Sequence, residues 1–164
     1  MRTLYLVRHA KSSWKYPNLE DRHRPLKKRG ETDAHIMAAT LSGKGIKPGL
    51  ILTSPAKRAY DTACLFAEDL RYPLDQIVQN DNLYFTGIPQ TLEVIQQTAN
   101  QYDDLFVFGH NPDTLDLVNT FSPDDFENVP TSGIACIQFE VDNWKDITLK
   151  NGIFRWLDFP SAHR

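Results

Sequence analysis

Apolar and polar positions alternate in a regular scheme over the first two-thirds of the chain: short apolar runs, each followed by a longer amphipathic stretch. The first run, Leu4-Tyr5-Leu6-Val7, holds no turn residue and predicts a buried strand ending at Arg8 and His9. Leu50-Ile51-Leu52 and Leu105-Phe106-Val107-Phe108 repeat the pattern, and Gln76 to Gln79 predicts a further short strand. From Glu31 the period becomes helical, with Ala34, Met37, Ala38 and Leu41 on one stripe and Gly43 and Gly45 as the stop. Ser54 as N-cap and Pro55 as first helical residue predict a second helix, with Ala59, Ala63, Phe66, Ala67 and Leu70 inward and Arg58 in its first turn. Pro89 opens a third helix with Leu92, Ile95 and Ala99 inward. Asn111 and Pro112 repeat the cap-and-proline pattern, which sets His110 at a strand end beside a helix N-terminus, a position that suits an anion. After Thr131-Ser132-Gly133 the pattern alternates, with Ala135, Ile137, Phe139 and Val141 on one face. Asp142-Asn143 and Asn151-Gly152 are expected hairpin turns, the second leading into Ile153 to Leu157.

Strands that alternate with helices through residue 119 imply a largely parallel sheet covered on both faces. The expected fold is a three-layer α/β/α sandwich, mostly parallel, with antiparallel edge strands from the last third. At 164 residues the chain is expected to form one domain, 1–164. A net charge of −3 gives no footprint for nucleic acid or an anionic membrane, so any positive site must be local. Cys64 and Cys136 are the only cysteines, both in apolar context, and are expected as reduced core residues. No apolar run reaches the ~20 residues of a membrane span, and the first strand begins too close to Met1 for a signal peptide. The expected location is the cytoplasm.

Three segments share one grammar: a strand, then a cap or loop bearing a cation or an imidazole. They deliver Arg8 and His9, then Arg58, then His110, to one edge of the expected sheet, the carboxyl edge where open α/β folds bind ligands. Two arginines suit the planar, charge-assisted binding of phosphoryl oxygens. One neutral histidine suits attack on phosphorus, and the second suits donation to the oxygens as charge spreads over them. No carboxylate cluster accompanies the histidines, so neither a metal nor another cofactor is expected. His23, His35 and His163 are assigned to surface or packing. The long loop from Lys11 to Arg29, with Trp14, Tyr16, Pro17 and Pro25, is either a surface loop with packed aromatics or a flap over the site.

Leu6-Val7-Arg8-His9-Ala10, Arg24-Pro25-Leu26 with Arg29-Gly30, Thr53-Ser54-Pro55-Ala56-Lys57-Arg58-Ala59, Gly109-His110-Asn111-Pro112 and Thr131-Ser132-Gly133 occur in this order. Together they resemble the histidine phosphatase superfamily, with its phosphoglycerate-mutase-like fold, and within it the SixA-type phosphohistidine phosphatases. The resemblance implies that His9 is a nucleophile forming a phosphohistidine intermediate, that Arg8, Arg58 and His110 form the phosphate pocket, and that Arg24 adds a contact. It also directs the search for a proton donor to Asp81-Asn82-Leu83-Tyr84-Phe85-Thr86-Gly87, where Asp81 is the candidate. A missing acid favours leaving groups that need little help, such as phosphoramidates, over alkyl esters. The implied partner is a phosphorylated protein or a small phosphorylated molecule; the oligomeric state is left open, and a monomer is compatible with it. The alternatives are a general small-molecule phosphomonoesterase and a non-catalytic phosphate-recognition module.

Overall fold

The computed structural model describes residues 1–164 and centres on a six-stranded sheet of order β3-β2-β4-β1-β5-β6. Its strands are β1 (Arg2–Arg8), β2 (Leu50–Thr53), β3 (Val78–Gln79), β4 (Asp104–Gly109), β5 (Ile134–Phe139) and β6 (Gly152–Asp158). The helices are α1 (Lys28–Gly43), α2 (Lys57–Asp69), α3 (Ile88–Gln96) and α4 (Asp113–Phe121). Strands β3, β2, β4 and β1 run parallel, and β5 and β6 complete the sheet in antiparallel fashion.

The continuous apolar runs of β1 and β4 follow from cover on both sides. Leu4 and Leu6 join Leu105, Val107, Ala135 and Ile137 in the core under α3 and α4, with Val94, Ile95, Leu117, Val118 and Trp144. Tyr5 and Val7 point the other way and join Phe106, Phe108, Ile134 and Cys136 under α1 and α2, with Met37, Leu41, Phe66 and Ala67. Alternation along β5 is therefore real, but both of its faces are buried, and of the two antiparallel strands only β6 is an edge, with β3 at the opposite edge. The α/β/α layering and largely parallel sheet agree with the expectation.

Several boundaries differ, each for a local reason. Helix α2 starts at Lys57 with Ala56 as cap, because the Ser54 hydroxyl accepts the N–H of Ala56 (3.2 Å) in a turn of its own. Helix α4 starts at Asp113 with Pro112 as cap, so Asn111 and Pro112 each lie one place outside the expected role. Asn111 instead donates to the Val129 carbonyl (3.1 Å) and to Asn128 (3.0 Å). Ala99 lies beyond α3 and is exposed; Val94 fills that side of the core. The two expected hairpin turns are parts of one connection between β5 and β6, bent by a 3-10 turn at Trp144–Asp146 and anchored by the fully buried Trp144. Val141 falls in that connection, past the end of β5.

The topology fixes where a site can form. From β1 the chain crosses by α1 to β2 on one side, whereas from β4 it crosses by α4 to β5 on the other. The crevice between diverging connections lies at the carboxyl ends of β1 and β4, where Arg8 pairs in register with Gly109. Because β2 is parallel and in register through Thr53 and Phe108, Ser54 arrives at the same edge. Strand β5 begins there, since Ile134 pairs with Val7, and that brings in Ser132.

Candidate active site

His9 and His110 follow adjacent parallel strands, and their rings lie 5.1 Å apart. His9 is held by backbone on both sides: its N–H donates to the Gly109 carbonyl (3.0 Å), and its own carbonyl accepts from Ser132 (3.1 Å). The Nδ1 of His9 is 2.7 Å from the Ala10 carbonyl oxygen. A carbonyl only accepts, so Nδ1 carries the hydrogen and Nε2 carries the lone pair. Burial drives the pKa of His9 down; the Ala10 carbonyl opposes this, and the charges of Arg58, Arg8 and Arg24 add to it, leaving it at about 3. His9 is thus a neutral imidazole with a free Nε2 at neutral pH.

The other imidazole takes the complementary form. His110 Nε2 is 2.8 Å from the Ser54 hydroxyl. Ser54 is fully buried and its hydroxyl hydrogen has no acceptor other than Nε2, so that hydrogen goes to Nε2 and the His110 proton sits on Nδ1. Nδ1 is buried and has no partner within the protein. Burial, then coupling to the neighbouring His9 imidazole and the charges of Arg58 and Arg8, lower the His110 pKa to about 3 against the opposing pull of Asp21. Phe85 stacks on the His110 ring at 4.4 Å and Tyr84 meets it edge-on at 5.4 Å. Phe85 holds this place with a left-handed φ of 55°, a conformation that costs a non-glycine residue energy.

Two arginines supply the positive charge. Arg8 ends β1 and donates from Nη1 to the Val129 carbonyl (2.9 Å). Burial and the nearby charge of Arg58 both lower its pKa, a sign that two cations share one small space. Arg58 is only 1% exposed although it lies in the first turn of a helix. The Nε atoms of both arginines and the hydroxyl of Ser132 join His110 Nδ1 as buried groups with no protein partner. Buried polar groups are almost always paired; four at one sheet edge, most of them donors, form a cradle for an anion's oxygens.

The segment from Lys11 to Arg29 closes over this edge as a flap. A bridge between Ser12 and Leu26 and a bond from Lys27 N–H to the Lys11 carbonyl (2.9 Å) tie its base. Gly30 allows the close approach, because a Cβ there would lie 2.3 Å from the Lys11 carbonyl oxygen. Arg24 is buried under Trp14, its guanidinium 3.6 Å from the ring centroid, and donates to the Ser12 hydroxyl (2.8 Å). At the flap's 3-10 turn, Asp21 accepts from Arg58 Nη2 (2.9 Å), from the Tyr84 hydroxyl (2.6 Å) and from Arg24 Nε (3.3 Å).

The structure therefore brings together Arg8, His9, Arg58 and His110, with Arg24 near enough for its charge to act on His9. It does not bring Asp81, which is exposed on a 3-10 turn and makes no side-chain hydrogen bond to these residues. The carboxylate at the site is Asp21, which the sequence reading missed, as it missed the roles of Ser54, Tyr84 and Phe85. The only sequence signal for Asp21 was its place three residues before Arg24, and nothing local pointed to Arg58. No group of three or more His, Cys, Asp or Glu side chains is arranged to hold a metal ion.

Comparison with known proteins gives the family and the fold. The sequence model of the histidine phosphatase superfamily (branch 1) matches residues 4–106, a span that contains Arg8, His9 and Arg58 and stops short of His110. A chloroplastic protein of Arabidopsis thaliana, itself uncharacterized, is 30% identical over 170 residues, covering 94% of this chain and 74% of that one. The protein histidine phosphatase SixA, solved with tungstate, superposes with a TM-score of 0.84 over 99% of both chains at 22% identity, a likeness of fold. A chain from Agrobacterium tumefaciens described as a phosphohistidine phosphatase SixA gives a TM-score of 0.80 at 25% identity, over 97% of this chain and 98% of its own.

Proposed function

The chain belongs to the histidine phosphatase superfamily, branch 1, and from that premise we propose that it is a phosphatase working through a covalent phosphohistidine intermediate on His9. The observation that carries this reading is the hydrogen bond from His9 Nδ1 to the Ala10 carbonyl, which leaves a neutral, lone-pair-bearing Nε2 beside the buried Arg58 and the half-buried Arg8. A module that only recognised phosphate would need the arginines but not a nucleophile held in one tautomer.

The mechanism follows from these residues. Arg8, Arg58, Ser132 and the Nδ1–H of His110 hold the phosphoryl oxygens, and the arginine charges offset what the group brings into a buried site. His9 Nε2 attacks phosphorus in line with the leaving group; the Nε2–P bond forms as the bond to the leaving atom breaks. The Nδ1–H···O=C bond of His9 stabilises the positive charge that the ring acquires. Water then attacks the phosphorus of phospho-His9, and the Nε2–P bond breaks to return neutral His9 and inorganic phosphate.

The substrate we favour is phosphohistidine carried by a protein. Two features support this: no carboxylic acid stands ready to protonate an alkoxide, and the exposed rings of Phe85, stacked on His110, and Trp14, over Arg24, offer apolar surface beside the site that suits a macromolecule. A phosphohistidine whose distal ring nitrogen carries a proton leaves as neutral imidazole and needs no such acid. Residues 1–164 act on this reading as one domain, and the free thiols of Cys64 and Cys136 fit a reducing compartment such as the cytoplasm. No helix is long and apolar enough to cross a membrane.

The test is phosphate release without added metal by the purified protein and by His9→Ala, from a phosphohistidine peptide and from p-nitrophenyl phosphate. The expected result is release by the wild type alone, faster from the phosphohistidine, with phosphate affinity retained in the variant. Equal turnover by His9→Ala would end the covalent mechanism. Phosphate binding by the wild type without release from either substrate would favour the recognition module.

A further inference from the structure

Asp21 raises a physical question that the mechanism above leaves unanswered, because it puts a carboxylate into a pocket built for an anion. Burial works to raise its pKa, but hydrogen bonds from Tyr84 and Arg58, the charge of Arg58 and a bond from Arg24 outweigh this and bring it down to about 2. An acid that strong is ionised at neutral pH and cannot protonate a departing oxygen.

It does not fill the phosphoryl position either. Asp21 takes one edge of the Arg58 guanidinium, its backbone carbonyl accepting from Nη1 (2.8 Å) and its Oδ2 from Nη2 (2.9 Å). Nε of the same guanidinium stays buried and unpartnered, so the other edge remains for a phosphoryl oxygen. A carboxylate offers about four lone pairs, and Asp21 receives three side-chain bonds, one of them a long 3.3 Å contact from Arg24. Its side chain is 43% exposed, on the flap side of the pocket, whereas that of Arg58 is 2% exposed. Tyr84, the hydroxyl that holds it, packs on His110. Asp21 thus stands between the phosphoryl cradle and solvent, where the leaving group must pass.

We infer that Asp21 is the specificity-determining residue of this phosphatase, a fixed anion at the rim that accepts the distal ring N–H of an N-phosphorylated imidazole and repels leaving groups that depart as oxyanions. The assignment rests on the phosphatase reading above and deepens it. When His9 Nε2 bonds to phosphorus, the P–N bond breaks and its electron pair returns to the leaving ring nitrogen. The distal proton stays on the ring throughout, bonded to Asp21, and the ring departs as neutral imidazole. Positive charge on that ring before cleavage is what a carboxylate stabilises, and negative charge on a phenolate or alkoxide is what it opposes.

The experiment compares kcat/KM for a phosphohistidine peptide and p-nitrophenyl phosphate in the wild type, Asp21→Asn and Asp21→Glu, with inorganic phosphate binding measured on each. Asp21→Asn is expected to lower the phosphohistidine-to-ester ratio roughly tenfold or more, the scale of a hydrogen bond to a charged group, and to bind phosphate at least as tightly as the wild type. Asp21→Glu keeps the charge and is expected to stay near the wild-type ratio. An unchanged ratio in Asp21→Asn, equal losses on both substrates, or weaker phosphate binding would reduce Asp21 to a strap for Arg58 and overturn the inference. A wild type that hydrolyses neither substrate would refute the phosphatase reading, and this inference with it; a wild type with the expected preference, unaltered in Asp21→Asn, refutes the Asp21 assignment alone.

Discussion

Ser54→Ala tests the most specific feature of the site, the assignment of the His110 proton. Ser54 is fully buried, and its hydroxyl serves two groups, His110 Nε2 at 2.8 Å and the Ala56 N–H at 3.2 Å. Alanine leaves both without a partner in a place water does not reach. At about 1–3 kcal/mol for each unsatisfied buried group, the loss in stability is about 2–6 kcal/mol. For a chain of this size about 1 kcal/mol moves the melting temperature by about 2–4 °C, so thermal unfolding followed by circular dichroism should show a fall of about 4–24 °C. The catalytic effect is separate. The serine hydrogen favours the Nδ1–H form of His110 by about one net hydrogen bond, roughly 0.5–1.5 kcal/mol. Without it, the share of enzyme with a donor facing the phosphoryl group drops, and kcat/KM for phosphohistidine falls up to about tenfold. Ser54→Thr, which restores a hydroxyl, should recover most of the rate if its methyl is accommodated. A Ser54→Ala protein that melts within about 1 °C of the wild type and turns over at the wild-type rate would refute both the pairing and the tautomer built on it.

Arg58→Ala removes the most deeply buried cation of the site and should weaken phosphate affinity and reduce kcat together, by roughly a hundredfold or more in kcat/KM; an unchanged rate would take Arg58 out of the mechanism. Gly30→Ala forces a methyl group to within 2.3 Å of the Lys11 carbonyl oxygen, so the flap base must shift; lower thermal stability is expected, with faster proteolysis between Lys11 and Arg29, and equal melting of the two proteins would contradict the packing described. Acid should destabilise the fold through His9 and His110, whose folded pKa values near 3 lie below the ordinary imidazole value of 6.5. Between those limits the unfolded chain binds the more protons, so the stabilisation present above pH 6.5 is lost as pH falls toward 3, by on the order of 1 kcal/mol per pH unit for each histidine. Denaturant titrations from pH 7 to pH 4 would show this slope, and carbon-13 shifts of both imidazoles should stay in the neutral range down to pH 5.

Much of the site was legible because each of its principal residues sits directly at the end of a readable element. Arg8 and His9 close an apolar run, His110 closes another, and Arg58 falls one residue into a helix whose inward face is plain. The residues that escaped lack such a frame. Asp21 lies in a flap whose only regular structure is a 3-10 turn and a single bridge, and its partners Arg58 and Tyr84 are 37 and 63 positions away. Ser54 was visible as a residue but not in its role: a serine before a proline at a helix start is an ordinary N-cap, and only the neighbouring strand shows that its hydroxyl faces an imidazole instead. Asp81 drew notice because it adjoins the place where the family resemblance seeks an acid, yet the turn that carries it exposes it.

The division has a physical basis. Hydrophobic periodicity is a local property, so the chain by itself determined the strands, the helices, the layering that covers both faces of β1 and β4, and the delivery of two imidazoles and two arginines to strand ends. Strand order and register are set by pairing between distant segments, and these decide that β1 lies beside β4 and that Thr53, Phe108 and Ile134 come level with Val7, one residue before Arg8. Only that alignment fixes which hydroxyl meets His110, which guanidinium edge is left for an anion, and which carboxylate closes the mouth, because hydrogen bonds depend on tenths of an ångström between groups that the sequence keeps far apart.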